Sequence, residues 1–112
     1  MDTYPMASLR SLVADVVIVR ECTHGQVRVL YGDIVGVEGD IMVIPANSRL
    51  AGREGLDERM HQAAGDGLRE ACANIAKERS KLNLQPCGVG EAVITDAFDL
   101  PVTKLVHVVG PD

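Results

Sequence analysis

Residues 41–57 read IMVIPANSRLAGREGLD and decide the fold. The stretch opens with an unbroken apolar run, which is typical of a central parallel strand buried on both faces. Pro45 ends the strand, because proline has no N–H to donate to a sheet ladder. The loop that follows contains Gly52 and Gly55, which would let a ligand approach the backbone, and it opens onto a helix. The carboxyl end of a parallel strand beside a helix N-terminus is where open α/β sheets bind ligands and where anions are attracted.

The apolar spacing changes to three and four residues after Gly55, which predicts a helix. We expect this helix to span residues 56–77. Residues 65–67 read GDG and predict a kink or break within it. Asp66 is suited to cap the second piece.

Short β-branched segments predict four further strands, over residues 15–20, 27–31, 91–95 and 104–109. The first two of these are close enough to pair as a hairpin. An N-terminal arm or short helix is predicted within residues 1–14, from apolar residues at helical spacing: Met6, Leu9, Leu12 and Val13. One long helix covers only one face of a mostly parallel sheet. Part of the other face therefore needs a partner or a missing piece of the same domain.

Length and composition narrow the class of protein. The chain has 112 residues, which fits one domain over residues 1–112, and its net charge is −5. Its cations are scattered and it contains only two Tyr and one Phe, which argues against a nucleic acid as partner. The three cysteines have no paired spacing, which indicates reduced thiols in a cytoplasmic protein. No apolar run approaches the ~20 residues that cross a bilayer, so we expect no membrane partner.

The residue pattern predicts neither a metal nor a cofactor. Cys22 and His24 offer two ligands at one turn, fewer than a zinc site needs. Cys87 has no neighbouring base in the sequence that would make it a nucleophile. His107 lies inside an apolar strand and is interpreted as a core histidine. His61 lies on the predicted helix and is interpreted as structural or solvated.

Several blocks of the sequence resemble the macrodomain family in order and spacing. They are GDI at residues 32–34, IMVIPAN at 41–47, MHQAAG at 60–65, CGVGEAVIT at 87–95, LP at 100–101 and HVVGP at 107–111. The resemblance implies a three-layer α/β/α fold with a mixed, mostly parallel central sheet, and a protein that binds ADP-ribose. It also leads us to expect that the C-terminal part, with a second glycine-rich phosphate loop, is missing from this chain.

The resemblance implies a ligand contact for each matching residue. Asp33 would accept a hydrogen bond from the adenine amino group beside the Ile34 backbone, and Asn47 would hold the distal ribose. Asn47 and Asp57 are the implied catalytic residues. Asp57 matches the acid that positions or activates water near the anomeric carbon in hydrolytic members. The remaining implied contacts are Ala46, Gly52, Arg53, Gly55 and Leu56.

Three of these residues also have a plain structural interpretation. Asp33 suits a turn or a helix cap, and Asn47 suits an Asx-turn after a strand. Asp57 suits the first turn of a helix, where the helix dipole stabilises an acid. The residues alone do not decide between the two interpretations.

The sequence also departs from the family pattern. Ile44 stands where the family has the first asparagine of its motif, and Arg53 and Glu54 interrupt the glycine run. Arg53 is suited to pair with a phosphate, whereas Glu54 would oppose one. Two functions therefore remain open. One is a module that binds ADP-ribose or an ADP-ribosylated protein, descended from a hydrolase of the glycohydrolase or O-acetyl-ADP-ribose deacetylase type. The other is a degenerate, non-enzymatic interaction or assembly domain, in which a homo-oligomer or another partner covers the open sheet face.

Overall fold

A computed structural model of the chain describes residues 14–111. The chain divides between Glu38 and Gly39 into two compact units, which are described in turn. The predicted N-terminal helix, with Met6, Leu9, Leu12 and Val13, lies outside the described residues. The prediction of one domain over residues 1–112 stays a prediction.

The first unit is built on an antiparallel hairpin. Strand β1 spans Ala14–Cys22 and strand β2 spans Gly25–Gly32, and their register shifts between Val16 and Ile18. A short 3-10 helix, Ile34–Gly36, follows. The predicted hairpin is confirmed, because the β-branched runs on either side of the turn pair as two strands.

The second unit combines three strands with two helices. Strand β3 spans Gly39–Pro45, helix α1 Gly55–Ala64, helix α2 Asp66–Ser80, strand β4 Ala92–Asp96 and strand β5 Val102–Val108. The strand order is β3–β5–β4, with β5 parallel to β3 and antiparallel to β4. The prediction of an α/β fold with a mixed sheet is confirmed. No helix within residues 14–111 is long and apolar enough to cross a membrane.

One face of this sheet forms the core with the helices. Successive strand residues point to opposite faces, and across the three strands Thr95, Leu105 and Met42 make one buried row. Ile44 and His107, which pair across β3 and β5, are both 0% exposed. The helices contribute the buried side chains that cover this face: Met60, Ala64, Leu68 and Cys72.

The opposite face of the sheet, here called the open face, is apolar and exposed. Ile41 and Val43 of β3 are 62% and 58% exposed, and Ile94 of β4 is 66% exposed. Within residues 39–111 the strand is therefore buried on one face only, and the exposed face agrees with the prediction that part of the sheet needs a partner or a missing piece of the domain. Both helices lie on the other face, and within residues 39–111 nothing covers this one.

The predicted long helix is broken at Gly65, within the GDG sequence that predicted a break. Gly65 has φ +92° and its N–H donates to the carbonyl of His61, which ends α1. Only glycine adopts such a backbone without strain. Asp66 is the first residue of α2 rather than the residue before it, so the prediction that it caps this helix is wrong. The cap residue is Gly65.

Candidate ligand-binding site

The loop after β3 is held in place by its own asparagine. Oδ1 of Asn47 accepts hydrogen bonds from the backbone N–H groups of Arg49 (3.1 Å) and Ala51 (3.3 Å). Asn47 therefore makes the Asx-type turn that was the structural interpretation of this residue. Its side-chain nitrogen, on an exposed residue, makes no hydrogen bond with any residue in the range 14–111. That amide remains available to a ligand.

The same loop closes over a buried histidine. Gly52 has φ +61°, and a Cβ at this position would lie 2.3 Å from Cδ2 of His61. No side chain fits there, because real Cβ atoms do not approach other atoms so closely. His61 is 2% exposed, so its interpretation as solvated is wrong and its structural interpretation is supported.

A cavity of about 340 Å³ opens between the end of β3 and the start of α1. It contains five of the residues that the sequence predicted as site residues, together with Pro45 and Glu54. Those five are Ala46, Asn47, Gly55, Leu56 and Asp57. We call it the acidic cavity, because Glu54 and Asp57 are its charged lining residues.

The remaining predicted contacts lie elsewhere. Gly52 is buried against His61, and Arg53 lines a different cavity. Asp33 and Ile34 belong to the first unit. There Oδ1 of Asp33 accepts a hydrogen bond from the Val35 N–H at 3.2 Å and caps the 3-10 helix, and Ile34 lines a cavity of about 270 Å³. The ligand contacts assigned to these residues stay predictions.

Asp57 and His61 form a buried pair beside the acidic cavity. Asp57 Oδ1 lies 3.5 Å from Nε2 of His61, on the next turn of α1. Within residues 14–111, neither this oxygen nor either ring nitrogen of His61 has a hydrogen-bond partner. Buried polar groups are normally paired, so each exception needs an explanation, and a catalytic role is one of them. The i,i+4 spacing of the two residues on one helix is the signal by which the sequence could have identified His61.

Burial shifts both groups of this pair towards their neutral forms. It raises the pKa of Asp57 above its ordinary value, against the Gly52 backbone hydrogen bond and the charge of Arg69. Burial also lowers the pKa of His61, and the charge of Arg69 lowers it further. A carboxylate with a raised pKa beside a neutral imidazole is suited to take a proton from water.

His107 lies deeper and is a core residue, as its sequence position predicted. Its Nε2 lies 2.9 Å from Oγ1 of Thr95, and its ring centroid lies 6.4 Å from that of His61. Burial, with a smaller effect of His61, lowers the pKa of His107 to about 4. These contacts give His107 a place in the packing and none in the acidic cavity.

The buried thiols are poorly suited to act as nucleophiles. Burial, followed by the charge of Asp57, raises the pKa of Cys72 to about 11. Burial, followed by the charge of Glu91, also raises the pKa of Cys87. A thiol with a raised pKa carries little of the reactive thiolate. Within residues 14–111 no three side chains of His, Cys, Asp or Glu are grouped so that they could hold a metal ion.

Comparison with known proteins points to one family. The Macro domain profile matches residues 43–112. A curated O-acetyl-ADP-ribose deacetylase from Enterobacter sp. (strain 638) is 42% identical over 86 residues, which are 77% of this chain and 45% of the relative. The chain thus spans about half the length of the curated relatives it matches.

Solved structures agree with the sequence comparison. The Oceanobacillus iheyensis macrodomain with ADP has a TM-score of 0.76 at 32% identity, over 84% of this chain and 48% of that one. The Trypanosoma brucei macrodomain in complex with ADP-ribose has a TM-score of 0.54 at 30% identity, over 70% of this chain and 30% of that one.

The lowered pKa values of the two buried histidines predict that the protein loses stability in mild acid. The stability that the two neutral histidines contribute is fully present above their unfolded-state pKa of about 6.5. It is lost as the pH falls towards their pKa in the folded protein, which is about 4 for His107. Between about pH 7 and pH 5, His107 alone should lower the free energy of unfolding by about 2 kcal/mol. Asp57 acts in the opposite direction, because its penalty is relieved as the pH falls through its raised pKa.

Urea denaturation at these two pH values measures the loss. His107→Gln should reduce the difference, whereas His24→Gln, on the exposed turn of the hairpin, should leave it unchanged. An equal free energy of unfolding for the wild-type protein at both pH values would contradict the prediction, whether or not His107→Gln folds.

Proposed function

Because the chain belongs to the Macro domain family, we propose that its second unit binds ADP-ribose through the acidic cavity. The observation that carries the proposal is the state of Asn47: its oxygen is committed to the loop, and its nitrogen is free of described partners at the cavity wall. The relatives support the choice of ligand, because one is named for O-acetyl-ADP-ribose and another is solved in complex with ADP-ribose.

The lining of the acidic cavity indicates which part of the ligand it takes. Glu54 and Asp57 can accept hydrogen bonds from hydroxyl groups, and the Asn47 amide can donate one. Lys and Arg are absent from the described lining, so a phosphate would meet two acids and no cation. The cavity therefore suits a ribose. At about 340 Å³ it is at the lower end of the range for ligand pockets, which fits one moiety of the nucleotide.

Asn47→Asp tests the proposal without removing the turn. Aspartate keeps the oxygen that accepts from Arg49 and Ala51, but it replaces the amide donor with a negative charge. Calorimetric titration with ADP-ribose should give binding to the wild-type protein and at least about tenfold weaker binding to Asn47→Asp, or about 1.4 kcal/mol.

Asn74→Asp is the matched control, because it adds the same charge on an exposed position of α2 and should bind like the wild-type protein. Absence of binding to the wild-type chain would remove the proposal. Equal affinity of Asn47→Asp and wild-type protein would remove Asn47 from it.

A second candidate function, ester hydrolysis on the bound nucleotide, is favoured by the buried Asp57–His61 pair. We propose that Asp57 takes a proton from a water molecule as the water attacks the ester carbonyl of O-acetyl-ADP-ribose. The ester C–O bond then breaks, the ribose oxygen takes that proton back from Asp57, and acetic acid leaves and ionises to acetate in water. The raised pKa of Asp57 increases its proton affinity, and the neutral state of His61 keeps a competing cation away from it.

Acetate release from O-acetyl-ADP-ribose measures this activity. Asp57→Asn should lower kcat by about a hundredfold or more, because positioned general bases contribute on this order. Its KM should change little, since the amide keeps the shape of the side chain. Glu58→Gln, an exposed neighbour on α1, should match the wild-type rate. Unchanged kcat in Asp57→Asn would exclude the carboxylate as the base.

The open face supports a separate role in assembly. It carries Ile41, Val43 and Ile94, and one row ends in the ion pair between Lys104 and Asp96. A surface with apolar rows and one charge of each sign is self-complementary under a two-fold axis. We propose that a second copy of this chain covers it, since large exposed apolar patches mark interaction sites.

Light scattering after size-exclusion chromatography should give the mass of a dimer for the wild-type chain. Val43→Asp should give a monomer, because it places a charge in the proposed interface. Val89→Asp is the matched control, since Val89 is 60% exposed but lies in a loop off the sheet. A wild-type protein that stays monomeric at all concentrations measured would exclude the dimer.

A further inference from the structure

A second cavity, of about 200 Å³, lies on the α2 side of the loop after β3. Its polar walls are Arg49 and Arg53 from the loop and Arg69 from α2. Its apolar walls include the small side chains of Ala73 and Ala76. We call it the arginine cavity.

The charge of the arginine cavity is unusual for this protein. The chain has 11 Lys and Arg residues and a net charge of −5, yet three of these cations line this one cavity. Asp and Glu are absent from the described lining of the arginine cavity. Three positive charges around one small space repel each other, and an anion between them removes that repulsion.

The guanidinium groups also have donors to spare. Nη1 of Arg69 donates to the carbonyl oxygen of Ala51 at 2.9 Å, which fixes this side chain against the loop. The guanidinium groups of Arg49 and Arg53 make no hydrogen bond or ion pair with any residue in the range 14–111. A fixed arginine beside two uncommitted ones resembles a preformed anion receptor more than a solvated helix surface.

We propose that the arginine cavity binds a phosphate dianion. Each guanidinium presents parallel N–H donors that match two oxygens of a phosphate, so three groups suit an anion with several oxygens and a double charge better than a carboxylate. The acidic cavity on the other side of the loop, with Glu54 and Asp57, repels the same anion. The loop thus separates a wall suited to sugar hydroxyls from a wall suited to phosphate.

An anion bound in the arginine cavity would change the electrostatic environment of the Asp57–His61 pair. The charge of Arg69 already acts on both residues. A phosphate on Arg69 opposes that effect. The bond between Arg69 and the Ala51 carbonyl connects the cavity to the loop that carries Asn47.

Titration of the isotope-labelled protein with inorganic phosphate, at constant ionic strength set with sodium chloride, tests the proposal by NMR. Amide signals of residues 49–53 and of α2 around Arg69 should shift and saturate. Arg53→Gln should weaken the phosphate affinity by about tenfold. Lys77→Gln removes the same charge from α2 at a residue that does not line the cavity and should change the affinity less than twofold.

A second titration, with ribose 5-phosphate, distinguishes free phosphate from a phosphate ester as the source of the anion; binding of either at the arginine cavity supports the proposal. The position of the shifts, at residues 49–53 and around Arg69 rather than at residues 45–47, separates this site from the acidic cavity. The proposal fails if phosphate does not bind, if Arg53→Gln and Lys77→Gln weaken it equally, or if the shifts centre on residues 45–47. ADP-ribose plays no part in the test, so its outcome is independent of the proposed function.

Discussion

The parallel pairing of β3 with β5 constrains the rest of the second unit. Parallel neighbours cannot be joined by a tight turn, so the chain has to cross from the end of one strand to the start of the other. The crossing carries both helices over one face of the sheet and leaves the other face open. It also sets the carboxyl ends of both strands at one edge, where the Ala46 N–H donates to the Val108 carbonyl and continues the ladder. Ala46 also lines the acidic cavity, so the candidate site lies directly at this end of the ladder.

The loop that follows β3 has acidic residues on one side and arginines on the other. Glu54 and Asp57 face one cavity, and Arg49 and Arg53 face the other. The loop can be this thin because Gly52 lies directly on the His61 ring, with no side chain between backbone and imidazole. In the functions proposed above, sugar binding and phosphate binding belong to opposite sides of one short segment.

Local signals in the sequence predicted much of the fold. Pro45 and the glycine at position 65 fixed the end of β3 and the break between the helices, because their backbone restrictions do not depend on distant residues. The burial of β3 was not predictable in the same way. A run such as IMVI reports hydrophobicity, but the cover on each face comes from segments far away in the sequence. For the same reason the acidic cavity was predicted from nearby residues of the sequence, whereas the cavity that Arg53 and Arg69 both line required the folded chain.

The parallel pairing also determines when each part of the chain can fold during its synthesis. The hairpin of the first unit joins neighbouring segments, and such hairpins close within about 1–10 μs. Strand β3 instead waits for β5, since Pro45 pairs with Val108. At roughly 5–20 residues per second the ribosome needs roughly 3–13 s to make the intervening chain. During that interval the apolar strand β3 lacks its parallel neighbour, so the nascent chain is most prone to aggregate, or to engage a chaperone, before β5 emerges.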